Sequence, residues 1–314
     1  MSFSDNTKEI ALKILANELG IDPIEVTRYT NGYCHSVYYV KTNKDEVVLR
    51  VTSKENEKFY NGSIKWLTEL NEMNILVPKI LKNGHFGDYF YTLISFIHGK
   101  DLGEVYKDLT DNQKKNIIKE ISTIQKKVSS LPVVEYYGYT HSDKNESFTK
   151  WIDYLKNLNL RSEKRIKQNK ILNVEVCDTV TKIMNSLEGY FETVKPEPFL
   201  DDITTKNVLI FNGKLSGIVD IDEVCYGDPL FVIGLTNMAL LGMEYDTKYI
   251  DYWLDEIKAN DVQRKAVMFY SLLFCVDFMG EQGMRFNNDK IITYDEKKVE
   301  LLKSIFNDLI KYFQ

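Results

Sequence analysis

Cysteine is scarce in this chain and never paired: Cys34, Cys177, Cys225 and Cys275 lie far apart, with no C-x-x-C spacing. That argues against a zinc site or a disulfide framework and for reduced thiols in core or loop. No segment approaches the roughly 18 to 20 consecutive apolar residues of a membrane span. The opening residues Met1 to Ser4 carry no basic stretch and no apolar stretch after it, so no export signal is expected and a cytoplasmic location is. Basic residues are not in excess either. A net charge of −6 weighs against a dedicated nucleic-acid binder and is compatible with a cationic substrate. Internal repeats and low-complexity linkers are absent too.

What remains is an ordinary globular composition over 314 residues, 44% hydrophobic and 27% charged, long enough for two lobes with separate cores. A 12% aromatic share argues for a well-filled interior. Asp5 to Leu19 has helical spacing, with Gly20 as its stop. The period then changes. Val26 to Thr30, Ser36 to Thr42 and Glu46 to Thr52 are rich in β-branched and aromatic residues. Asn31-Gly32 and Asn43-Lys44-Asp45 separate them as turns. A helix over Lys54 to Met73 and strands over Lys79 to Lys82 and Tyr89 to Phe96 complete a five-stranded antiparallel sheet with one intervening helix. Beyond Gly99 the pattern is helical: Asn112 to Ser130, Ser147 to Lys167, Val174 to Val194, and four helices after Leu230. One hairpin interrupts it, Asn207 to Phe211 and Leu215 to Ile221. The expected division is residues 1–97 as a β-rich lobe and residues 98–314 as a helical one.

The densest chemistry lies between Phe199 and Pro229. It reads L-D-D-I-T-T-K-N-V-L-I from Leu200, G-I-V-D-I-D from Gly217 and G-D-P from Gly227. Phosphoryl transfer needs a carboxylate to orient the acceptor hydroxyl and hard oxygen ligands for Mg²⁺. Asp202 and Asn207 offer a base and a ligand from one loop, and Asp220 a second ligand at the end of the hairpin. Taken singly, an Asp or Asn before a strand also reads as a turn or capping residue.

In this order the motifs resemble those of the aminoglycoside phosphotransferase and choline kinase family, with its H-G-D-x-x-x-x-N loop, its hairpin ending in I-D and its G-D-P. The resemblance extends over nearly the whole chain. It implies an α+β, two-lobed protein-kinase-like fold, with a small β-rich N-lobe binding nucleotide and a larger, mostly helical C-lobe carrying the catalytic loop and acceptor pocket. It implies Asp202 as catalytic base, Asn207 and Asp220 as Mg²⁺ ligands, and ATP or GTP as phosphoryl donor. Thr30 to Ser36 would cover the phosphates, with Gly32 and Ser36 as nucleotide-binding residues; read alone, the segment is better taken as an ordinary hairpin turn. Arg50 falls where the family pairs a cation with the phosphates, although an exposed edge arginine would show the same alternation. Ser95 and Ile97 would face the purine through their backbone groups.

Four positions depart from the family pattern. Leu200-Asp201 replaces His-Gly before the base, so Leu200 must hold the loop by packing, and Asp201 sets a second carboxylate beside Asp202. The helix carboxylate expected to pair with Arg50 falls, by spacing back from Val77-Pro78, near Ser63. Val232 stands where an acid usually follows G-D-P, and Ile124-Gln125 replaces a Leu-His pair.

The expected function is transfer of a γ-phosphate to a hydroxyl of a small molecule: an aminoglycoside-like antibiotic, a choline-like alcohol or another metabolite. A non-catalytic nucleotide-binding relative is the alternative. A protein kinase is disfavoured, since H-R-D, D-F-G and A-P-E segments are lacking. Asp222, Glu223, Asp277 and Glu281 are the candidate acceptor-binding residues. Asp222 and Glu223 could equally be solvated, and Asp277 and Glu281, four apart, could form a solvated stripe on one helix. Nucleic acid and membrane are not expected partners.

Overall fold

The computed structural model describes residues 3–29, 34–139, 147–284 and 295–314. Gly32, with the rest of 30–33, lies outside them. The chain forms two compact units: one holds the residues up to His98 together with Gly217–Glu223, the other Gly99–Ser216, Val224–Met284 and the C-terminal helix.

In the first unit, α1 (Phe3–Lys13) is continued by a π-helical turn, Ile14–Leu19. Gly20 ends it in the left-handed conformation (φ 62°), its N–H closing onto the Leu15 carbonyl. Strands β1 (Glu25–Tyr29), β2 (Ser36–Lys41), β3 (Glu46–Ser53), β4 (Ile80–Phe86) and β5 (Tyr89–Ser95) make one sheet in the order β1-β2-β3-β5-β4. Every neighbouring pair is antiparallel, as the alternation predicts. The Asn43-Lys44-Asp45 turn is fixed by Thr42, whose Oγ1 accepts from the N–H groups of Lys44 and Asp45. β4 runs four residues beyond the expected Lys79 to Lys82. Asn83-Gly84-His85 lacks strand-forming side chains, but Gly84 pairs with Tyr91, whose hydroxyl would lie 2.7 Å and ring 2.8 Å from a Cβ at position 84. The tyrosine covers the glycine and supplies the apolar surface the segment lacks.

The sheet has two buried faces. Tyr38, Val40, Leu49, Val51, Tyr91 and Leu93 pack with Ala11, Ile14 and Leu15 in one core. Each large side chain buried there contributes about 1.5–3 kcal/mol. Arg50, Thr52 and Thr92 are buried polar residues that alternate with this set along β3 and β5. Helix α2 (Glu57–Glu72), preceded by a 3₁₀ turn over Lys54–Asn56, carries Ser63 among its buried residues.

In the second unit, the chain enters through β6 (Lys100–Asp101), α3 (Leu102–Val105) and α4 (Asp111–Val128), the last opened by a capping box between Thr110 and Gln113. Next come β7 (Gly138–Tyr139), α5 (Trp151–Asn169), α6 (Glu175–Ser186) and α7 (Glu188–Phe191). A single helix over Val174 to Val194 was the expectation; it breaks at Leu187 (φ −105°, ψ 6°), and both Leu187 and Phe191 are buried. Strands β8 (Glu197–Phe199), β9 (Val208–Phe211), β10 (Lys214–Ile218) and β11 (Cys225–Gly227) follow. They build two small sheets, β10-β9-β6 and β7-β11-β8. The four expected C-terminal helices are α8 (Leu230–Gly242), α9 (Lys248–Glu256), α10 (Asp261–Gly280) and α11 (Glu296–Lys311).

Helix α10 is the axis of this unit, buried nearly throughout its second half. Gly234 of α8 brings the two helices together: a Cβ there would sit 2.4 Å from Tyr270 Cβ. Trp151, Tyr154, Phe231 and Tyr270 form an aromatic cluster against α10. The G-D-P segment is anchored within it. A Cβ at Gly227 would overlap the Trp151 ring at 2.1 Å, so only glycine fits. The buried Asp228 carboxylate accepts from Tyr190 Oη (2.7 Å), Tyr270 Oη (2.6 Å) and the Leu230 N–H (3.0 Å). Burial pushes its pKa up, and three donors compensate for the lost water.

Candidate active site

The loop carrying Asp202 and Asn207 lies wholly in the second unit, between β8 and β9. Leu200 is buried, as its apolar character requires, and its backbone is held as well. Gln125 accepts from the Leu200 N–H (Oε1, 3.0 Å) and donates to its carbonyl (Nε2, 2.8 Å). Two departures from the family pattern are thus one arrangement: the glutamine that stands for a histidine on α4 clamps the leucine that stands for a histidine in the loop.

Asp201 and Asp202 have different surroundings. Asp201 is half-buried and accepts from Tyr139 Oη at 2.6 Å. Burial pushes its carboxyl up to about 6, with the tyrosine bond opposing the rise. Asp202 is exposed, and Thr204 Oγ1 donates to its Oδ1 at 3.2 Å. Asn207 Nδ2 donates to the Asp202 backbone carbonyl at 2.9 Å. That bond commits the amide nitrogen and closes the loop, and the amide oxygen is the atom with the chemistry to ligate a hard cation.

Asp220 belongs to the first unit. Its backbone is left-handed (φ 60°), which costs on the order of 1 kcal/mol for a residue with a Cβ and concentrates at functional sites. The segment is tied to the unit by the Ile218 N–H, which donates to the Leu76 carbonyl at 2.8 Å. The Asp220 side chain is 51% exposed, while Arg50 beside it is almost wholly buried.

Arg50 lies on β3, the central strand, so it is not an edge residue. Its Nη1 donates to Ser63 Oγ at 2.7 Å, the position spacing predicts for the family's helix carboxylate. Its Nη2 donates to Asp220 Oδ1 (3.1 Å) and Asp222 Oδ1 (2.7 Å). Asp222 Oδ2 lies 2.9 Å from His35 Nε2, and His35 Nδ1 lies 2.6 Å from Thr52 Oγ1. Burial alone would push the Asp222 carboxyl up, but Arg50 and His35 outweigh it and hold the group well below the usual carboxylate range. His35 is held below its ordinary value by burial and by Arg50. Burial, then Asp222 and Asp220, push the Cys34 thiol up to about 12, which favours the protonated thiol over the thiolate.

The remaining expected residues are placed as follows. Ser36 begins β2 opposite Val51. Ser95 ends β5, where its Oγ accepts from the Lys79 N–H at 2.9 Å. Ile97 closes over Gly217, leaving no room for a side chain there. Asp277 is not on a solvated stripe: its carboxylate accepts from Arg161 (2.9 Å), Arg165 (3.0 Å) and Ser162 (2.9 Å) of α5. Glu281, one turn on, lies 3.9 Å from Arg165. Burial, then the charge of Asp277, raise its pKa.

Some of this was not read from the sequence. In the sequence, His35 lies in a segment whose signal is glycine and hydroxyl groups, and Asp222 reads as an acceptor residue. A buried cation without a carboxylate on its helix was the available signal. Among the described residues no cluster of three or more His, Cys, Asp or Glu could hold a metal, and no helix is long and apolar enough to cross a membrane.

A five-stranded antiparallel sheet with one helix, a helical unit with two small sheets and the D-x-x-x-x-N loop together define an α+β fold of the protein-kinase-like class. The chain belongs to the phosphotransferase enzyme family, whose sequence model matches residues 25–264. By that membership it is a phosphotransferase. Among solved structures it is similar to a thermostable variant of aminoglycoside phosphotransferase APH(4)-Ia in complex with ADP and hygromycin B (TM-score 0.66, 14% identity, 96% of this chain and 97% of that one). It is also similar to ADP-bound aminoglycoside phosphotransferase APH(2'')-Ib (0.64, 13%, 97% and 98%). A candidate fructosamine-3-kinase from Haemophilus somnus 129PT is a further similar structure (0.64, 13%, 95% and 96%). At these identities the likeness is one of fold. Among curated protein sequences, none matches.

Proposed function

We propose that this protein transfers the γ-phosphoryl group of ATP or GTP to a hydroxyl of a small molecule, with Asp202 as the base. The observation that carries the reading is an exposed Asp202 in the family's loop, with Thr204 on its carboxylate and Asn207 on its backbone carbonyl. In the reaction the acceptor oxygen bonds to the γ-phosphorus, the bond to the β,γ-bridging oxygen breaks, and the hydroxyl proton passes to Asp202.

The donor set suits Mg²⁺, which favours one or two carboxylates plus phosphate oxygens over a dedicated all-protein cage. Asn207 would ligate through its amide oxygen and Asp220 through a carboxylate that is half exposed. Bound there, the ion would neutralise charge on the phosphates. Arg50 has five N–H donors, and three of its hydrogen bonds are accounted for by Ser63, Asp220 and Asp222. The others would serve phosphate oxygens, with Ser36 and Gly32 covering the phosphates and the backbone of Ser95 and Ile97 meeting the base. Such a donor nucleotide also favours a cytoplasmic location.

The acceptor is read more coarsely: an aminoglycoside-like, choline-like or other hydroxyl compound. Asp277 and Asp222 are each neutralised by arginine, so neither adds a strong pull on a polycation. Glu223 and Glu281 remain acceptor candidates, Glu281 with Arg165 at 3.9 Å. A panel of aminoglycosides, amino alcohols and sugars, with Mg²⁺ and each nucleotide, should contain a compound that stimulates diphosphate release. The second reading, a nucleotide-binding relative without transfer, draws on Leu200-Asp201 in place of His-Gly. Tight Mg²⁺-nucleotide binding with silence across the panel would favour it.

A further inference from the structure

We infer that Asp222, oriented by His35, is the anionic partner that positions Arg50, taking over from the helix carboxylate that α2 does not supply. The inference rests on the reading above that Arg50 serves the donor nucleotide.

A guanidinium almost wholly removed from water needs compensating charge. The residue of α2 that reaches Arg50 is Ser63, which offers a neutral hydroxyl at 2.7 Å. Asp220 contributes one oxygen at 3.1 Å, but it is half exposed and is the proposed metal ligand, so its charge is shared. Asp222 is nearer, at 2.7 Å, and its side chain is only 15% exposed. Its second oxygen is tied to His35, and His35 is tied to Thr52 on β3, two residues from Arg50 itself. Arg50, Asp222, His35 and Thr52 therefore close a ring of contacts that begins and ends on one strand. Such a ring fixes both the guanidinium plane and the carboxylate that neutralises it. Asp222 is thus a positioning residue, acting through Arg50, rather than an acceptor contact.

The test measures dissociation constants for Mg²⁺–ADP and Mg²⁺–GDP by calorimetry on the full chain, with the melting midpoint recorded for each variant. Arg50→Ala should weaken binding of the preferred nucleotide at least tenfold. Asp222→Asn should weaken it about three- to tenfold, and Asp222→Asn combined with Ser63→Glu should restore it to within about threefold of the wild type, because a carboxylate has been returned to the helix. Recovery of affinity in the double variant is a result that a merely structural role for Asp222 would not produce. If Arg50→Ala binds nucleotide normally, the reading of Arg50 fails and takes the inference with it. If Arg50→Ala is impaired while Asp222→Asn is not, or Ser63→Glu brings no recovery, the inference alone is overturned. Should Asp222→Asn fail to fold, the double variant decides: folded, nucleotide-binding protein supports the role, and continued loss contradicts it.

Discussion

The two sets of candidate residues, one in each unit, are held by opposite means. In the first unit, the buried Arg50 is answered by the charges of Asp222 and the half-exposed Asp220, with His35 on Asp222. In the second, the Asp202 loop is held by neutral groups: the Gln125 carboxamide on the Leu200 backbone, the Tyr139 hydroxyl on Asp201 and the Asn207 amide on a carbonyl. The contrast follows from what each must do. A cation buried on a central strand has no water to stabilise it and requires an anion at fixed distance. A loop presenting an exposed carboxylate requires shape, and further charge beside Asp202 would disturb its ionisation. In each unit a position that departs from the family pattern meets a partner distant in sequence, Arg50 with Asp222 and Leu200 with Gln125.

Breaking each set should reveal the difference, and the largest effect belongs to the charged one. Asp222→Ala leaves Arg50 short of its nearest anion, and loss of one partner of a buried pair typically costs ~3–5 kcal/mol; chemical denaturation measures it. Gln125→Ala leaves the buried Leu200 backbone N–H and carbonyl without partners, for which a smaller loss of ~1–3 kcal/mol is expected. Gln125→Glu would tell the sets apart further: the carboxylate still accepts from the N–H but cannot donate to the carbonyl, so it should recover only part of the loss. The smallest effect is a change of slope. Asp201 has its carboxyl at about 6 in the fold, raised by burial above the ordinary aspartate value of about 3.9. The folded state therefore binds the proton more tightly than the unfolded one, and this group's contribution to stability is lost as pH rises from about 4 to about 6. Asp201→Asn removes that dependence, so its melting midpoint relative to the wild type should climb between pH 4 and pH 7. A constant difference would show that Asp201 does not titrate in this range.

Most of the fold was open to inspection in the sequence because it is written in local pattern. The alternation along β2 and β3, the Thr42 turn and the Gly20 stop each depend on neighbours in the chain. Even the vacancy in α2 could be located by counting back from Pro78, and Ser63 does meet Arg50. Strands of two or three residues such as β6, β7 and β8 are too short to show a period and exist through pairing with distant partners. The compensating contacts were hidden for the same reason. Gln125 and Leu200 are 75 residues apart, and Arg50 and Asp222 172 apart, so each looks like a lost family residue until the fold joins them.

The central claim, that the chain is a working phosphotransferase with Asp202 as its base, is tested most directly by one comparison. Nucleotide turnover should be measured for the wild type and Asp202→Ala over the acceptor panel, alongside Mg²⁺-nucleotide affinity. The account predicts acceptor-dependent turnover that falls about 10²- to 10⁴-fold in the variant while affinity is largely kept. Turnover that survives Asp202→Ala undiminished would contradict it.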